Sequence, residues 1–342
     1  MTQLTFKQAL QTLIDGGDFT FDQMVDIMRQ VMQGELTPAQ IAAILIGLRV
    51  KGETAEEIAA AAHVMRDLAA HVSITNTAHL VDTCGTGGDG IQTFNVSTAG
   101  AFVAAAAGAV VAKHGGRSVS STCGSIDVLE AFGIDVNQTP EQVAASVDEI
   151  GIGFMFAPNH HSAMKYAAPV RRELGVRTLF NLLGPMTNPA GAKRQVMGVF
   201  HRDLTTLLAG ALQHLGSEHV MVVHGADGMD EISFTGDTYV AELKDGKVSE
   251  YTLNPKQFGL PIHGVKSIQV QNVEDSKTMV LDVLSGREGP ARDIVLLNAG
   301  ATIYVAGLVD SHEAGIESAR QAIDSGAAMR KLEQLKARAA SS

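Results

Sequence analysis

Cysteine is scarce in this sequence, with only Cys84 and Cys123 among 342 residues. The two lie far apart and lack the ligand spacing of a zinc site, so neither a disulfide framework nor structural zinc is indicated. Long apolar runs are also missing, since none reaches the roughly 18 residues that a membrane helix requires. The first 14 residues lack the basic region and continuous apolar block of a secretion signal. We therefore expect a cytoplasmic protein without a membrane span.

Basic residues are also comparatively few. The sequence has 26 Lys and Arg residues and 37 Asp and Glu residues, which gives a net charge of -11. Affinity for nucleic acid comes mainly from many Lys and Arg contacts with phosphates, so this balance argues against a nucleic-acid partner. The acidic residues are unevenly spread, however. None occurs between Asp89 and Asp127, where Lys113, His114 and Arg117 lie. We expect a small phosphorylated ligand to bind in this stretch.

The chain is long enough, with 45% hydrophobic residues, to bury a large core and to form two domains. Near its start, threonines repeatedly precede amphipathic runs, as helix N-caps do, at Thr5, Thr20, Thr37 and Thr54. No strand candidate occurs before Leu80. The pattern predicts a small all-helical domain over residues 1–71.

From residue 72 onward, short apolar strands alternate with Ala-rich and Gly-rich helices, which is typical of an α/β domain with a central, mainly parallel sheet. The predicted strands span residues 80–83, 109–112, 153–156, 196–200 and 219–223, with helices at 97–107 and 141–150. Asp245-Gly246 within 238–251 predicts a peripheral hairpin. Two helices, from about Ser311 and Gly326, are expected to end this large domain, which spans residues 72–342.

The densest motif follows the first predicted strand and reads DTCGTGGDG from Asp82 to Gly90. Successive glycines let the backbone approach an anion and point several N–H groups at it. Asn95, Ser97 and Thr98 then begin an Ala-rich helix whose first N–H groups would converge on the same place. The glycine spacing also matches the dinucleotide-binding pattern, but the acidic residue expected about 20 positions later is missing, and no Walker lysine follows. We predict a pyrophosphate cradle, with a plain tight turn as the alternative.

Three further segments point to binding chemistry. The loop from Lys113 to Ser125 combines cations with small hydroxyl residues, which suits a flap over a phosphorylated sugar or, alternatively, a solvated loop. The adjacent carboxylates of Asp230 and Glu231 offer the hard oxygen ligands that magnesium takes together with substrate phosphates. Residues 160–177 hold two histidines without a third metal ligand, and several arginines suited to binding a carboxylate. Composition does not say which arginine would bind it.

These elements, in this order, resemble the anthranilate phosphoribosyltransferase family over nearly the whole chain. The most specific matches are GTGGD from Gly85, NVST from Asn95, KHG from Lys113, GSxDVLE from Gly124 (with x any residue), Val170-Arg171, NxLGPxTNP from Asn181 and GMDE from Gly228. The resemblance implies a fold of the nucleoside phosphorylase and phosphoribosyltransferase type. In it, helices from about 163–185 join the first helices as a dimerisation domain. The implied reaction transfers the phosphoribosyl group of phosphoribosyl pyrophosphate (PRPP) to the amine of anthranilate, giving N-(5-phosphoribosyl)anthranilate and pyrophosphate in tryptophan biosynthesis.

The resemblance also implies the site residues of a homodimeric, magnesium-dependent enzyme. The implied PRPP contacts are Gly85, Gly88, Asp89, Thr93, Asn95, Val96, Ser97, Thr98, Lys113, His114, Gly115, Gly116, Arg117, Ser118, Val119, Ser120, Ser121 and Ser125. Magnesium, as two ions per subunit, is implied at Ser97, Asp230 and Glu231, and anthranilate at Gly85, Gly116 and Arg171. No general base is identified.

The chain departs from the family pattern at two places. Gly116 replaces an Asn of the family, and Thr122-Cys123 replaces Lys-Ser, so a side-chain contact with anthranilate and a cation are both missing. A pyrimidine nucleoside phosphorylase is the nearest alternative, but its Lys-x-Ser-x-Arg motif is not seen and the paired carboxylates favour a metal-bound pyrophosphate. A catalytically silent relative that binds nucleic acid is a second alternative, which the acidic charge disfavours.

Overall fold

The computed structural model describes residues 3–117 and 123–339. Its first four helices are α1 Phe6–Ile14, α2 Phe21–Gln33, α3 Pro38–Lys51 and α4 Ala55–Asp67. The threonine before each helix accepts a hydrogen bond from the backbone of the third helical residue, whose side chain caps the threonine N–H in return. The four predicted helix starts are confirmed. Each cap satisfies backbone donors that a helix end otherwise leaves free.

One seven-stranded sheet organises the rest of the chain. Its strands are β1 Leu80–Gly85, β2 Val110–Gly115, β3 Ile152–Phe156, β4 Arg194–Gly198, β5 His219–Gly225, β6 Thr238–Lys244 and β7 Lys247–Leu253. They lie in the order β3-β2-β1-β4-β5-β6-β7, and pairing is parallel from β3 to β5 and antiparallel beyond. The mainly parallel sheet and the hairpin are confirmed, although β4 begins at Arg194 rather than at residue 196.

Helices cover both faces of this sheet. They are α5 Val96–Ala106, α6 Ser125–Ala131, α7 Pro140–Ile150, α8 Ala157–His160, α9 Ala168–Leu174, α10 Phe180–Leu183, α11 Leu204–His214, α12 Val273–Leu284, α13 Pro290–Val305, α14 His312–Asp324 and α15 Ala327–Ala339. The Ala-rich α5 packs between the sheet and α13, and a Cβ at Gly100 would lie 3.7 Å from the backbone nitrogen of Ala299. Within the described ranges, no helix is long and apolar enough to cross a membrane.

Two large apolar clusters lie on opposite faces of the sheet, as the alternation of β5 shows. Val223 enters the cluster that contains Phe102 of α5, whereas Val220 enters the cluster that contains Ile58 of α4. The second cluster also includes apolar residues of α9 and α10, such as Phe180. The segment over residues 163–185 therefore packs together with the N-terminal helices.

The strand order places a crevice between β1 and β4. The chain runs outward from β1 to β3 and returns on the other side of β1 as β4. In open α/β sheets, ligands bind outside the carboxyl ends of the strands where the order reverses in this way. The loops after β1, β2, β4 and β5 meet at that edge.

Candidate active site

The glycine loop after β1 is built from backbone conformations that side chains resist. Gly87, Gly88 and Gly90 all have positive φ, between 67° and 80°. The N–H of Gly87 donates to the Oδ2 atom of Asp230 over 2.7 Å. The loop therefore lies directly against the predicted metal carboxylate, as a pyrophosphate cradle would require.

The Asp230-Glu231 pair lies in the loop between β5 and β6, wedged against the ends of β1 and β4. A Cβ at Gly85 would come within 2.2 Å of the Asp230 carboxylate. A Cβ at Gly198 would come within 1.6 Å of the Asp230 carbonyl oxygen. Only glycine leaves room at both strand ends, so the sheet itself fixes the position of the pair.

The electrostatics of this pair are unfavourable without a cation. Both residues are half-buried, with some surface on the cleft, while protein atoms crowd the carboxyl groups. Burial raises the pKa of both carboxyl groups well above the ordinary range. The charge of Asp89 adds to the shift at Asp230, and the charge of Asp230 adds to the shift at Glu231. Two oxygen ligands crowded in this way fit a bound divalent cation.

Lys113 and Ser97 complete this side of the site. The buried Lys113 ammonium donates to the Ser97 hydroxyl over 3.1 Å and to the backbone carbonyl of Thr83. A hydrogen bond from the Ser97 backbone and the charge of Lys113 both lower the pKa of Glu231, against the larger effect of burial. Three separated sequence motifs thus meet around one carboxylate.

Other predicted PRPP residues are held by protein partners. Asn95 accepts a hydrogen bond from Ser276 over 2.7 Å and donates to the Cys123 carbonyl over 3.3 Å. Arg117 donates to both carboxylate oxygens of Glu130, over 2.5 and 2.6 Å. Neither side chain contacts the carboxylate pair in this structure. The motif around Glu130 is thereby explained as the partner of Arg117.

The remaining predicted PRPP residues surround these groups. Asp89 accepts the N–H of Ile91 over 3.1 Å, and Thr93 forms a β-bridge with Gln269. No described residue forms a hydrogen bond with the buried Thr98 hydroxyl. Ser125 begins α6, and a Cβ at Gly115 would lie 2.3 Å from the Ser125 hydroxyl oxygen. Val96 is buried at the start of α5. Ser118, Val119, Ser120, Ser121 and Thr122 lie outside the described residues.

Arg171 lies on α9 with its guanidinium unpaired. The group sits 5.3 Å from the ring centre of Phe180, and no side chain or carbonyl of the described residues forms a hydrogen bond with it. Burial lowers the pKa of Arg171, which is the response of a cation without a counter-ion. This side chain is therefore ready to receive an anion.

Two neutral histidines, His114 in β2 and His161 after α8, contact each other. His114 Nδ1 is 3.2 Å from the Gly184 carbonyl, which can only accept, so Nε2 of His114 is an acceptor. No described residue donates a hydrogen bond to this Nε2 atom. The His114 ring meets His161 edge-on at 5.1 Å. Burial lowers the pKa of His114 to about 3 and that of His161 to about 4. Beside them, Gly116 has open space around its Cβ position and no positive φ.

Sequence reasoning missed two supports of the site. Asp82, below the glycine loop, is fully buried and accepts a hydrogen bond from Asn188 over 2.8 Å, which ties β1 to the loop before β4. Arg177, in the loop after α9, donates to the Gly88 carbonyl over 2.6 Å. Asp82 begins the glycine-loop motif and Arg177 ends the arginine-containing segment over residues 160–177, but no local pattern distinguishes a support from a ligand.

Comparisons with known proteins agree on one family. Models described as glycosyl transferase family, a/b domain, and glycosyl transferase family, helical bundle domain, match residues 77–329 and 7–69. The anthranilate phosphoribosyltransferase of Methylobacillus flagellatus is 67% identical over 334 residues, covering 98% of each chain. The crystal structure of the anthranilate phosphoribosyltransferase from Thermus thermophilus matches with a TM-score of 0.92 at 41% identity, covering 97% of this chain and 99% of that one.

Solved complexes of the anthranilate phosphoribosyltransferase from Saccharomyces cerevisiae also match. Its complex with PRPP and Mg matches with a TM-score of 0.85 at 27% identity, covering 98% of both chains. Its complex with 4-fluoroanthranilate matches with a TM-score of 0.87 at 26% identity, covering 100% of this chain and 99% of that one.

Proposed function

We infer how this site works from the premise that the chain belongs to the anthranilate phosphoribosyltransferase family. It is a glycosyltransferase that moves the phosphoribosyl group of PRPP to the amine of anthranilate in tryptophan biosynthesis. The phosphorylase alternative is set aside because full-length relatives at high identity are named as the transferase. What remains to be proposed is which residues perform each part of the reaction.

PRPP is proposed to bind across the ends of β1 and β4, and the observation that carries this assignment is the crowded carboxylate pair against the glycine loop. A polyanion could not approach Asp230 and Glu231 unless a cation lay between them. The yeast relative has been solved with PRPP and Mg. We assign the same PRPP contacts as the sequence predicts, and among them Gly85, Asp89 and Ser97 lie directly against the pair.

Magnesium is proposed to bind at Ser97, Asp230 and Glu231, with two ions per subunit. In the described part of the chain, no three His, Cys, Asp or Glu residues are grouped so that they could hold a metal ion by themselves. Magnesium usually takes one or two carboxylates together with substrate phosphates, so the donor set fits an ion that binds with PRPP. Once bound, such an ion stabilises negative charge on the leaving pyrophosphate.

Anthranilate is proposed to bind through its carboxylate at Arg171, with Gly85 and Gly116 against the ring. The support is the unpaired, half-buried guanidinium on α9. A planar guanidinium matches a carboxylate with two parallel hydrogen bonds. The yeast relative has been solved with 4-fluoroanthranilate. Arg171 would then fix the amine toward the sugar.

The chemistry needs positioning more than proton transfer. The amine nitrogen forms a bond to the anomeric carbon, and the bond to the pyrophosphate oxygen breaks with its electron pair. One proton of the amine passes to water or to the released pyrophosphate. A neutral aromatic amine is already nucleophilic, so correct orientation can supply much of the acceleration. The chain contributes through Arg171 on one substrate and through glycine-loop N–H groups on the other. Burial lowers the pKa of His114 to about 3, which makes its imidazole a weak base, so His114 is not assigned as the general base.

The test is the loss of anthranilate fluorescence on addition of PRPP and magnesium. We expect the fluorescence to fall only when both are present, and N-(5-phosphoribosyl)anthranilate and pyrophosphate to accumulate in equal amounts. Unchanged fluorescence with all components present and a folded protein would contradict the assignment of substrates. Release of free phosphate instead of pyrophosphate would contradict the leaving group.

We propose that residues 1–71 form a dimerisation domain, which residues 163–185 join, and that residues 72–342 form the second domain. Two copies of the chain would pair through the dimerisation domain. Ile14 and Val50, at the ends of the packed helices α1 and α3, are 68% and 82% exposed. Such side chains favour burial against a second copy. Light scattering should give twice the chain mass, and Ile14→Asp with Val50→Asp should lower it. The matched control is Ile262→Asp, an exposed apolar residue outside this domain. A monomeric wild type would contradict the proposal.

We also propose a cytoplasmic location. Both cysteines of the chain are free thiols, and thiols persist in reducing compartments. Separation of cell extract into soluble, membrane and secreted fractions, followed by immunoblotting, tests this location.

A further inference from the structure

The loop between α9 and α10 makes a contact with the glycine loop that the substrate assignments do not use. Arg177 projects from this loop, six residues beyond Arg171 along the chain. Its guanidinium donates to the Gly88 carbonyl over 2.6 Å, and Gly88 is 89 positions away in sequence. The contact therefore links the segment that carries the proposed anthranilate arginine to the loop that is proposed to bind pyrophosphate.

Phe200 fixes the direction from which Arg177 reaches Gly88. The guanidinium carbon of Arg177 lies 3.8 Å from the ring centre of Phe200. The preceding residue, Val199, donates its N–H to the Val223 carbonyl over 2.9 Å, so the ring stands on the end of the sheet. Within the described part of the chain, no carboxylate pairs with Arg177. Among the described residues, Arg177 stacks on the Phe200 ring and donates one hydrogen bond to a carbonyl.

This contact determines which way the following peptide group faces. In a trans peptide the carbonyl of one residue and the N–H of the next point in opposite directions. Holding the Gly88 carbonyl on the side of Arg177 therefore turns the Asp89 N–H the other way. On the other side of the loop, Asp230 accepts the Gly87 N–H over 2.7 Å. A loop of positive-φ glycines, which is intrinsically the most mobile kind of backbone, is thus held from two sides.

We propose that Arg177 is a positioning residue that holds the glycine loop in its anion-binding conformation, so that PRPP affinity depends on the helical segment that binds anthranilate. The proposal rests on the proposed function of the glycine loop. Arg177 touches no reacting atom in this role. It acts through Gly88, and Phe200 acts through Arg177.

The test compares Arg177→Gln, Phe200→Leu and the double variant with Arg172→Gln. Arg172 is a matched control, because it is an exposed arginine of α9 for which the structure shows no hydrogen bond or ion pair. Arg177 is itself exposed, so its substitution should not disturb the core. Two readouts are measured for each protein: the KM and kcat for both substrates, and hydrogen exchange of residues 86–91 in the substrate-free enzyme.

We expect Arg177→Gln to raise the KM for PRPP about tenfold, since a hydrogen bond from a charged donor is lost, and to leave the anthranilate KM nearly unchanged. Exchange of residues 86–91 should become faster. Phe200→Leu should move both readouts in the same direction by less, and the double variant should resemble Arg177→Gln alone. Arg172→Gln should match the wild type.

Three results would overturn the proposal. If Arg177→Gln behaves like Arg172→Gln, the contact has no role. If its PRPP KM rises while exchange is unchanged and Phe200→Leu is silent, Arg177 is a direct phosphate ligand rather than a positioning residue. Faster exchange with an unchanged PRPP KM would instead refute the phosphate-binding role proposed for the loop itself, and with it the coupling.

Discussion

The two sides of the crevice carry charges of opposite sign. On the phosphate side, Asp230 and Glu231 crowd negative charge against backbone N–H groups, and burial raises the pKa of both carboxyl groups. On the aromatic side, no carboxylate of the described residues pairs with Arg171. We therefore propose that a polyanion binds through a cation and main-chain N–H groups, whereas a single carboxylate binds by a direct ion pair with Arg171. Each side carries charge that the described residues leave unbalanced and that its proposed ligand would balance.

Removing the negative charge of the phosphate side should have the largest effect on turnover. We expect Asp230→Asn with Glu231→Gln to abolish activity at ordinary magnesium, because amides are poor ligands for a hard divalent cation. The fluorescence assay over a magnesium series, with circular dichroism to verify folding, measures this. Glu250→Gln, an exposed carboxylate on β7, is the control. Full activity of the double variant would remove the metal assignment.

The same double variant should respond differently to pH. Because both pKa values are raised in the folded state, the folded protein holds these protons more tightly than the unfolded chain does. The resulting stability is fully present below the ordinary carboxyl pKa of about 4 and is lost as the pH rises through the raised values. In magnesium-free buffer, Tm should therefore fall with pH more steeply in the wild type than in the variant. Equal slopes would show that the pair is not electrostatically strained.

The next largest effect is expected from steric pressure on the phosphate side. Gly198→Ala would put a Cβ within 1.6 Å of the Asp230 carbonyl, so the carboxylate loop must shift. We expect a loss of about 1–3 kcal/mol in the free energy of unfolding, and a large fall in kcat. Gly116→Ala, on the open aromatic side, should leave stability nearly unchanged. Denaturant titration of both variants measures their free energies of unfolding. Equal values would contradict the difference in packing between the two positions.

A smaller effect should follow when the shape of the cation on the aromatic side is changed but its charge is kept. Arg171→Lys is expected to raise the anthranilate KM about tenfold, because lysine cannot form the paired hydrogen bonds of a guanidinium. The PRPP KM should stay within error of the wild type. Initial rates with each substrate varied in turn measure both constants, with Arg172→Lys as control. A rise confined to the PRPP constant would mean that the two sides are wrongly divided.

The smallest effect is expected from Gly116→Asn, which restores the residue of the family pattern. The position has open space and no positive φ, so a side chain fits without backbone strain. One added hydrogen bond of about 0.5–1.5 kcal/mol should lower the anthranilate KM roughly two- to tenfold. The PRPP KM is measured in parallel, because Gly116 is also among the assigned PRPP contacts, and Arg172→Gln serves as the control. An increase in the anthranilate KM would show that the open space is needed by the substrate.

Some residues of the predicted site have a role that depends only on their neighbours in sequence, whereas others have a role that depends on contacts with distant residues. The glycines of the loop after β1 were recognisable, because positive φ and backbone access are properties of a few consecutive residues. Asn95 and Arg117 stood in equally strong motifs, yet in this structure Ser276 and Glu130 occupy their side chains. A motif identifies a residue type at a position. It does not say which neighbour that side chain contacts.

By itself, the sequence determined the helix caps, the alternation of strands and helices, and the presence of a glycine-rich anion loop, because each is encoded within a few adjacent residues. Only the tertiary structure decided that Asp230 meets Gly87 across 143 positions and that Arg177 meets Gly88 across 89. Those meetings follow from the order of strands, which places β4 beside β1. Strand order is set by the packing of the whole sheet between two apolar clusters, and no local segment contains that information.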